Sequence, residues 1–590
     1  MILGAIPVWI AWHYARWFPT GDLAVIVARP LIRHLEGESL WKLMFEPSGN
    51  GHYGFILPFH LLTAKLAHWD LRLDALVVVG LAILSAACFL ILLRGDELSR
   101  EWRGWVLGFL GVAVMLSSQQ MMNWMASIQT CYYLVVACVF LILVVWRSRL
   151  GLVTRILLAS LLAFYSSFCF PNGVLAWVMT GALLLLEKPG LGGVTKSTLI
   201  RAWCLLVVLA AVAGFFFLHG LSIDLSNPDT RPLSVRVASD PWPFLKFFLQ
   251  VLGLPSGMWW SGLAPQEVSG FHNWSSMLAG AIFLLAFLLA LFRGFYGGGL
   301  GWLREKQVWV LLGGWGMLNG IAISLARTGA GWSSALEDRY AAFTISLTLA
   351  TLVLWGAERT RAGRVGWIAL VVLLTVGWLG AAADGFAKAV NYNAPLKRTA
   401  AAVMFRKVAP VPGWEKLPGI VLESSERSRE QYIDIMDRAG WMRTPTVQSL
   451  LVKDAPLKTT PFARGSFVSA EINAAGSFSL RAWAVNEKGR SAVDALAISI
   501  ELPGQPERWL GTCMNVFRSR AFNRLARIDP SDERIGWQFD LDDGSGSLVQ
   551  ERMEWLRCPD ATAAVLRIYA IDFARLELCL VGSGRIGNKP

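Results

Sequence analysis

Apolar residues fall in long unbroken blocks over the first two-thirds of the chain, separated by short polar connections. Runs able to cross hydrocarbon, where a straight span needs about 20 residues, lie near 2–17, 74–93, 105–118, 131–146, 156–170, 174–186, 202–219, 274–292, 309–326, 339–357 and 367–383. The pattern predicts about eleven transmembrane helices. Several blocks are short, notably 105–118 and the pair 156–170 and 174–186, which meet at Pro171, Asn172 and Gly173. Such interrupted helices hold when packed on protein or lining a cavity; the alternative is a tilt or an extra turn into the interface. The first block, Ile2 to Trp17, has no basic start and no small-residue cleavage site, so it reads as a retained helix and not a signal peptide.

From about residue 384 the pattern shifts to strand-length alternation bounded by Gly, Asn and Asp. GSFSLRAWAVNEKGR (476–490), ALAISIELPG (495–504), IGWQFDLDDGSG (535–546) and AAVLRIYAIDF (563–573) predict antiparallel strands and hairpins. The expected fold is a polytopic α-helical membrane protein with a C-terminal extracytoplasmic domain containing a β-sandwich. Three regions follow: a multi-spanning domain at 1–383, a mixed α/β linker or subdomain at 384–464 with a helix near 425–440, and a β-sandwich at 465–590.

Charge orients this plan. The connections 94–103, 147–155, 187–201, 293–306 and 358–364 are rich in Lys and Arg, which places them in the cytoplasm. The alternate connections and everything after 384 then lie outside, and an odd helix count closes this arrangement. With 55% hydrophobic and 16% charged residues, 28 Trp and 31 Phe, the chain cannot cover itself as a soluble globule. A net charge of +12 belongs with loops held against anionic lipid, since no basic stretch interleaved with aromatics points to nucleic acid. The eight Cys form no CxxC or Cys/His cluster, so no metal site is indicated and any divalent metal requirement is left open.

Polar residues concentrate in the outer connections. Connection 18–73 carries Asp22 at the exit of the first apolar block, then His52 and the stretch YGFILPFHLLTAKLAHW (53–69), which suits a helix lying in the interface. Connection 220–273 carries PWPFLKFFLQVLGLPSGMWW (241–260), read in the same way. Asp22 in PTGD, HYGFILP (52–58), MNWMASIQ (122–129), SSFCFPNG (166–173) and EDRY (337–340) give a chain that resembles the GT-C superfamily of membrane glycosyltransferases. The likeness covers roughly residues 1–383. It departs from that superfamily in having Gly21 and Leu23 beside Asp22, where many relatives carry adjacent acids.

The resemblance implies sugar transfer from a polyprenyl-phosphate carrier to an envelope glycan or lipid at the outer face of a bacterial inner membrane. Such transfer needs a carboxylate to activate or orient the acceptor hydroxyl and cations to neutralise the departing phosphate. Asp22 is the candidate for the first role, against its reading as a helix N-cap. Arg327 and Arg339, which bracket RTGAGWSSALEDR, are candidates for the phosphate, against snorkelling or pairing with Glu337 or Asp338. His52 would contact the same phosphate or orient Asp22. Asn123, Trp124 and Gln129 are the candidates for sugar, by amide hydrogen bonds and indole stacking, although Trp at an interface is also expected as belt.

DLDDGSGSLVQE (540–551) has acids spaced as in a calcium loop, but Ser545 stands where glycine is required, so a hairpin turn is expected. Cys513, Cys558 and Cys579 would lie outside the cytoplasm, where one disulfide is open to them. The competing function is a transporter or flippase of lipid-linked glycans. That class favours repeated halves and ionisable residues near mid-membrane, and no clear repeat is visible. A scaffold whose helices only anchor a glycan-binding domain would not need so many of them.

Overall fold

The computed structural model describes residues 2–15, 22–48, 51–187, 195–219, 241–257, 269–327, 337–408, 429–441, 449–472, 477–486, 493–513, 515–517, 536–541, 547–557, 563–572 and 577–587, with a few single positions between them. Its contacts divide the chain into two units. The first comprises Met1–Ala15, Asp22–Thr63 and Leu71–Val390; the second comprises Arg16–Gly21, Ala64–Asp70 and Asn391–Pro590.

The first unit is helical. Among the described residues, seven helices are long and apolar enough to cross a membrane: Leu71–Arg94, Trp102–Met125, Ser127–Arg147, Lys196–Leu218, Trp274–Glu305, Gln307–Arg327 and Arg361–Ala383. The other apolar blocks are helical but shorter, at Ile2–Tyr14, Leu152–Ser167, Leu175–Leu186 and Ala341–Gly356. Pro171, Asn172 and Gly173 do form the break between two short helices. A Cβ on Gly173 would sit 1.9 Å from the carbonyl oxygen of Ser166, so only glycine lets the chain fold back this tightly. Asn172 Nδ2 donates to Asn319 Oδ1 at 2.9 Å, which fixes the break against the fully buried Asn319 of helix Gln307–Arg327.

The stretch expected to lie in the interface at 241–260 behaves differently. Its helix, Pro241–Gly257, packs against Ser269–Glu305, Gln307–Arg327 and Ala341–Gly356 and buries Phe247, Val251 and Leu252 completely. The physical reason lies in Gly253 and Gly280. Their missing side chains let two helix backbones approach so closely that a Cβ on either would fall within 2 Å of a backbone carbonyl oxygen. An aromatic-rich segment with one lysine reads as interfacial until its glycine finds a partner.

The second unit is built on two sheets. Its strands are β1 (Lys458–Thr459), β2 (Ala463–Ile472), β3 (Phe478–Asn486), β4 (Ala495–Glu501), β5 (Arg508–Cys513), β6 (Asn515–Phe517), β7 (Gly536–Leu541), β8 (Val565–Asp572) and β9 (Glu577–Gly584). One sheet runs β1-β9-β8-β4-β5 and the other β2-β3-β7-β6. All pairings are antiparallel except β9 with β1. Leu496, Ile498 and Ile500 of β4 share one buried cluster with Ala470, Phe478 and Leu480 of the other sheet. The opposite face of β4, Ala495 and Ala497, packs on Met404 and Phe405 in a second cluster. Both faces are covered, which is why ALAISI does not alternate.

Two expectations change here, and the helix expected near 425–440 keeps its place. Helix Arg361–Phe405 runs without interruption through residue 384, because helical propensity persists after hydropathy falls, and the contact boundary lies at Val390/Asn391. The helix expected at 425–440 is Arg429–Arg438. After β7 the chain enters a helix, Ser547–Arg557, where a hairpin was expected; Met553 and Leu556 of that helix join the buried cluster between the sheets, while 542–546 lie outside the described residues. Cys579 is a free thiol, and Cys558 lies outside the described residues.

The second unit also takes in the turn between helices Leu57–Ala67 and Leu71–Arg94. His68 and Trp69 both have positive φ, 49° and 45°, a conformation costly for residues with a side chain. The His68 Nδ1–H donates to the carbonyl of Gly440 at 2.8 Å, and the Trp69 ring meets Trp441 edge-on at 5.9 Å. These contacts hold a turn that its own backbone preferences disfavour.

Candidate functional site

Asp22 begins the chain's second helical segment, and the following residues Ala24–Ala28 form one turn of π-helix, a wide turn found mostly at functional positions. Asp22 is itself helical, and its carboxylate reaches across to a distant element. Its Oδ2 accepts from Arg339 Nη1 at 3.3 Å. Arg339 comes from the turn Asp338–Tyr340, immediately before helix Ala341–Gly356, and its other terminal nitrogen is paired with Glu337. Asp22 is 60% exposed and Arg339 19%, so the pair opens on its carboxylate side and is enclosed on its guanidinium side.

Three tyrosines surround this pair. Tyr53, in the turn after His52, lies in the electrostatic field of Arg327, Asp22 and Arg339. Tyr132, in the first turns of helix Thr130–Arg147, packs its ring on Phe343, one helical turn after Tyr340. Tyr340 places its ring 5.4 Å from the Arg339 guanidinium. Burial pushes the phenols of Tyr53 and Tyr340 above the ordinary tyrosine range, so both remain hydroxyl groups at neutral pH. Burial alone would lower Arg339, but the carboxylates of Glu337 and Asp22 oppose it and the guanidinium stays charged.

The structure therefore brings together Asp22 and Arg339, residues from opposite ends of the first unit's sequence. Arg327, exposed at the end of helix Gln307–Arg327, acts electrostatically on both Tyr53 and Tyr340 and makes no ion pair among the described residues. Most of the connection 328–336 lies outside the described residues.

The other candidates are placed differently. His52 is fully buried, its Nε2 bonded to the carbonyl of Phe217 at 2.8 Å and its ring packed between Phe168 and Phe217. Burial lowers its pKa against the opposing backbone bonds, so it offers a phosphate neither charge nor access. Trp124 donates to the carbonyl of Ser117 at 2.8 Å and packs on Tyr133, while Asn123 donates to Gln120; both are fully buried and serve the fold. Gln129 is only 5% exposed, and its Oε1 has no hydrogen-bond partner among the described residues. The short helix Met121–Met125 that carries Asn123 and Trp124 packs on the turn of Arg339, so these residues support the site from beneath.

Tyr53, Tyr132 and Tyr340 were not singled out from the sequence, although HYGFILP and EDRY contain two of them. A tyrosine beside a proposed ligand is the available signal, and with 10 Tyr in the chain only the fold selects three. No group of three or more His, Cys, Asp and Glu suited to a metal occurs among the described residues. No protein-family model, curated protein or solved structure matches this chain.

Proposed function

We propose that this chain is a membrane glycosyltransferase of GT-C type, moving a sugar from a polyprenyl-phosphate carrier to an envelope glycan or lipid. The observation that carries the reading is the 3.3 Å contact between Asp22 and Arg339, with Arg327, which has no ion pair among the described residues, acting on Tyr53 and Tyr340. A carboxylate able to take the acceptor's proton stands beside a buried, permanently charged guanidinium able to hold the leaving phosphate by paired donors. Arg339 is already engaged by two carboxylates, so a phosphate entering the site takes over donors that Glu337 and Asp22 now occupy.

In this reading all eleven apolar helices lie in the membrane, the Lys/Arg-rich connections face the cytoplasm, and the second unit is an extracytoplasmic β-sandwich. The test is turnover by the full-length protein in liposomes, read as release of polyprenyl phosphate from polyprenyl-phosphate sugars. Asp22→Asn and Arg339→Lys should each reduce release at least a hundredfold. Undiminished release in both variants excludes this site from the reaction.

A second reading, a transporter of lipid-linked glycans, is favoured by one observation. His60 and Asp74 are 1% and 2% exposed and share a 2.7 Å hydrogen bond, Nδ1 to Oδ2, between helices Leu57–Ala67 and Leu71–Arg94. Buried ionisable pairs in apolar helices are typical of transport pathways. Movement of a lipid-linked sugar across liposomes without release of polyprenyl phosphate would favour it.

A further inference from the structure

One side chain at the site is more than nine-tenths buried yet ends in a polar atom without a hydrogen-bond partner among the described residues: Gln129, 5% exposed, through Oε1. Tyr340, 3% exposed, turns its hydroxyl toward the Arg339 guanidinium. Buried polar atoms are nearly always paired in native proteins, so Gln129 marks room for a ligand that supplies its bond. Gln129 lies one helical turn before Tyr132 and so on the same side of the chain. Tyr132 meets Phe343, one helical turn after Tyr340, at 5.4 Å, and shares Phe170 with Tyr53. Three elements distant in sequence thus deliver three phenols and a carboxamide to one ion pair.

The wall beside them is aromatic. Tyr132 and Phe170 have ring centroids 4.4 Å apart, Tyr53 stands edge-on to Phe170 at 5.7 Å, and Phe343 lies behind Phe170 at 5.8 Å and within 21° of parallel. Phe343 is fully buried and Phe170 partly exposed, so Phe170 is the accessible end of the stack. Hydroxyl and amide groups that both donate and accept, set at the edge of an aromatic face, match a ring with polar hydroxyls around its rim and C–H bonds on its faces. A phosphate needs only donors and charge, which Arg339 and Arg327 supply.

We propose that Tyr53, Tyr132, Tyr340 and Gln129 form the subsite for the sugar ring of the lipid-linked substrate, with the ring's apolar face laid on Phe170. This inference rests on the glycosyltransferase reading and assigns the sugar to residues other than Asn123 and Trp124. It places the ring next to Asp22, where the bond to phosphate would be broken. It also divides labour within the site, with cations for the headgroup and neutral phenols for the ring.

The experiment compares two kinds of probe on the full-length protein in nanodiscs: farnesyl phosphate, and farnesyl phosphate carrying glucose, galactose, mannose or arabinose. At least one sugar-bearing lipid should bind about tenfold more tightly than farnesyl phosphate, as one or two good hydrogen bonds allow. Tyr340→Phe removes only the hydroxyl and should erase most of that advantage while leaving farnesyl phosphate bound within twofold. Tyr53→Phe, at a less enclosed position, should act in the same direction and serves where Tyr340→Phe disturbs folding. Arg339→Lys should weaken both kinds of lipid. Equal affinity for farnesyl phosphate and every sugar-bearing lipid overturns the subsite while the headgroup reading stands. Equal loss of both kinds in the phenylalanine variants also overturns it, because the phenols would then serve the phosphate. Absence of binding by any of these lipids overturns both readings.

Discussion

The Arg339 cluster in the first unit and the Arg567 cluster in the second use the same residue types to opposite ends. Arg567 pairs with Glu501 at 2.5 Å and Glu507 at 3.1 Å, and Glu507 also accepts from Tyr569 at 2.7 Å and from Ser499. The acceptor Glu507 is thus saturated by hydroxyls and guanidinium on the surface of one sheet. Around Arg339 the carboxylates are likewise present, but the Gln129 carbonyl has no partner among the described residues, the Tyr340 hydroxyl faces the guanidinium, and a second arginine acts on the same phenol. A closed network fixes a fold, whereas an open one of the same composition is arranged for something that arrives later.

The sharpest way to break this contrast is Asp22→Asn. It should lower turnover at least a hundredfold, about 2.7 kcal/mol of transition-state stabilisation, while the thermal unfolding transition stays in place. Glu507→Ala should do the reverse. Three donors lose their acceptor, and denaturant titration of the second unit should show about 2 kcal/mol of lost stability, with turnover per folded molecule unchanged. If Asp22→Asn unfolds the protein and Glu507→Ala leaves stability intact, the assignment of open and closed clusters is inverted.

A smaller effect comes from acid. Burial would raise Asp434, but hydrogen bonds from Arg406 and Lys407 outweigh it and hold the carboxyl below its usual range. A lowered folded-state pKa stabilises above the unfolded value, near 3.9, and that contribution is lost as pH falls through the lowered value. The second unit should therefore lose stability below about pH 4, less steeply in Asp434→Asn. Because Asp434 is 38% exposed, solvent screens the pair and the change should be smaller than that of Glu507→Ala. Smallest of all is Arg327→Ala. This exposed arginine should change affinity for farnesyl phosphate about threefold at low salt, with the difference vanishing near 1 M salt.

Much of this was legible in the sequence, and unevenly so. Apolar blocks reported helices because every segment in hydrocarbon must satisfy its own backbone. The strands at 478–486, 495–501, 536–541 and 565–572 were marked by turn residues at their ends. Asp22 and Arg339 were each visible as a polar residue out of place, because charge beside an apolar block is expensive and therefore conspicuous. The partners Tyr132 and Tyr340 were not, since phenols at membrane depth are ordinary and only the meeting of three elements makes them a set. Strands Ala463–Ile472 and Glu577–Gly584 went unread for a similar reason, as their pairing is set by neighbours far along the chain.

The left-handed turn at His68 and Trp69 has a practical consequence. A soluble fragment beginning near residue 391 would lack a short stretch that the second unit uses as its own packing material, leaving the indole of Trp441 without its cover and the Gly440 carbonyl without its imidazole donor. Such a fragment should be sticky in isolation and should be rescued by a peptide spanning 64–70 supplied in trans.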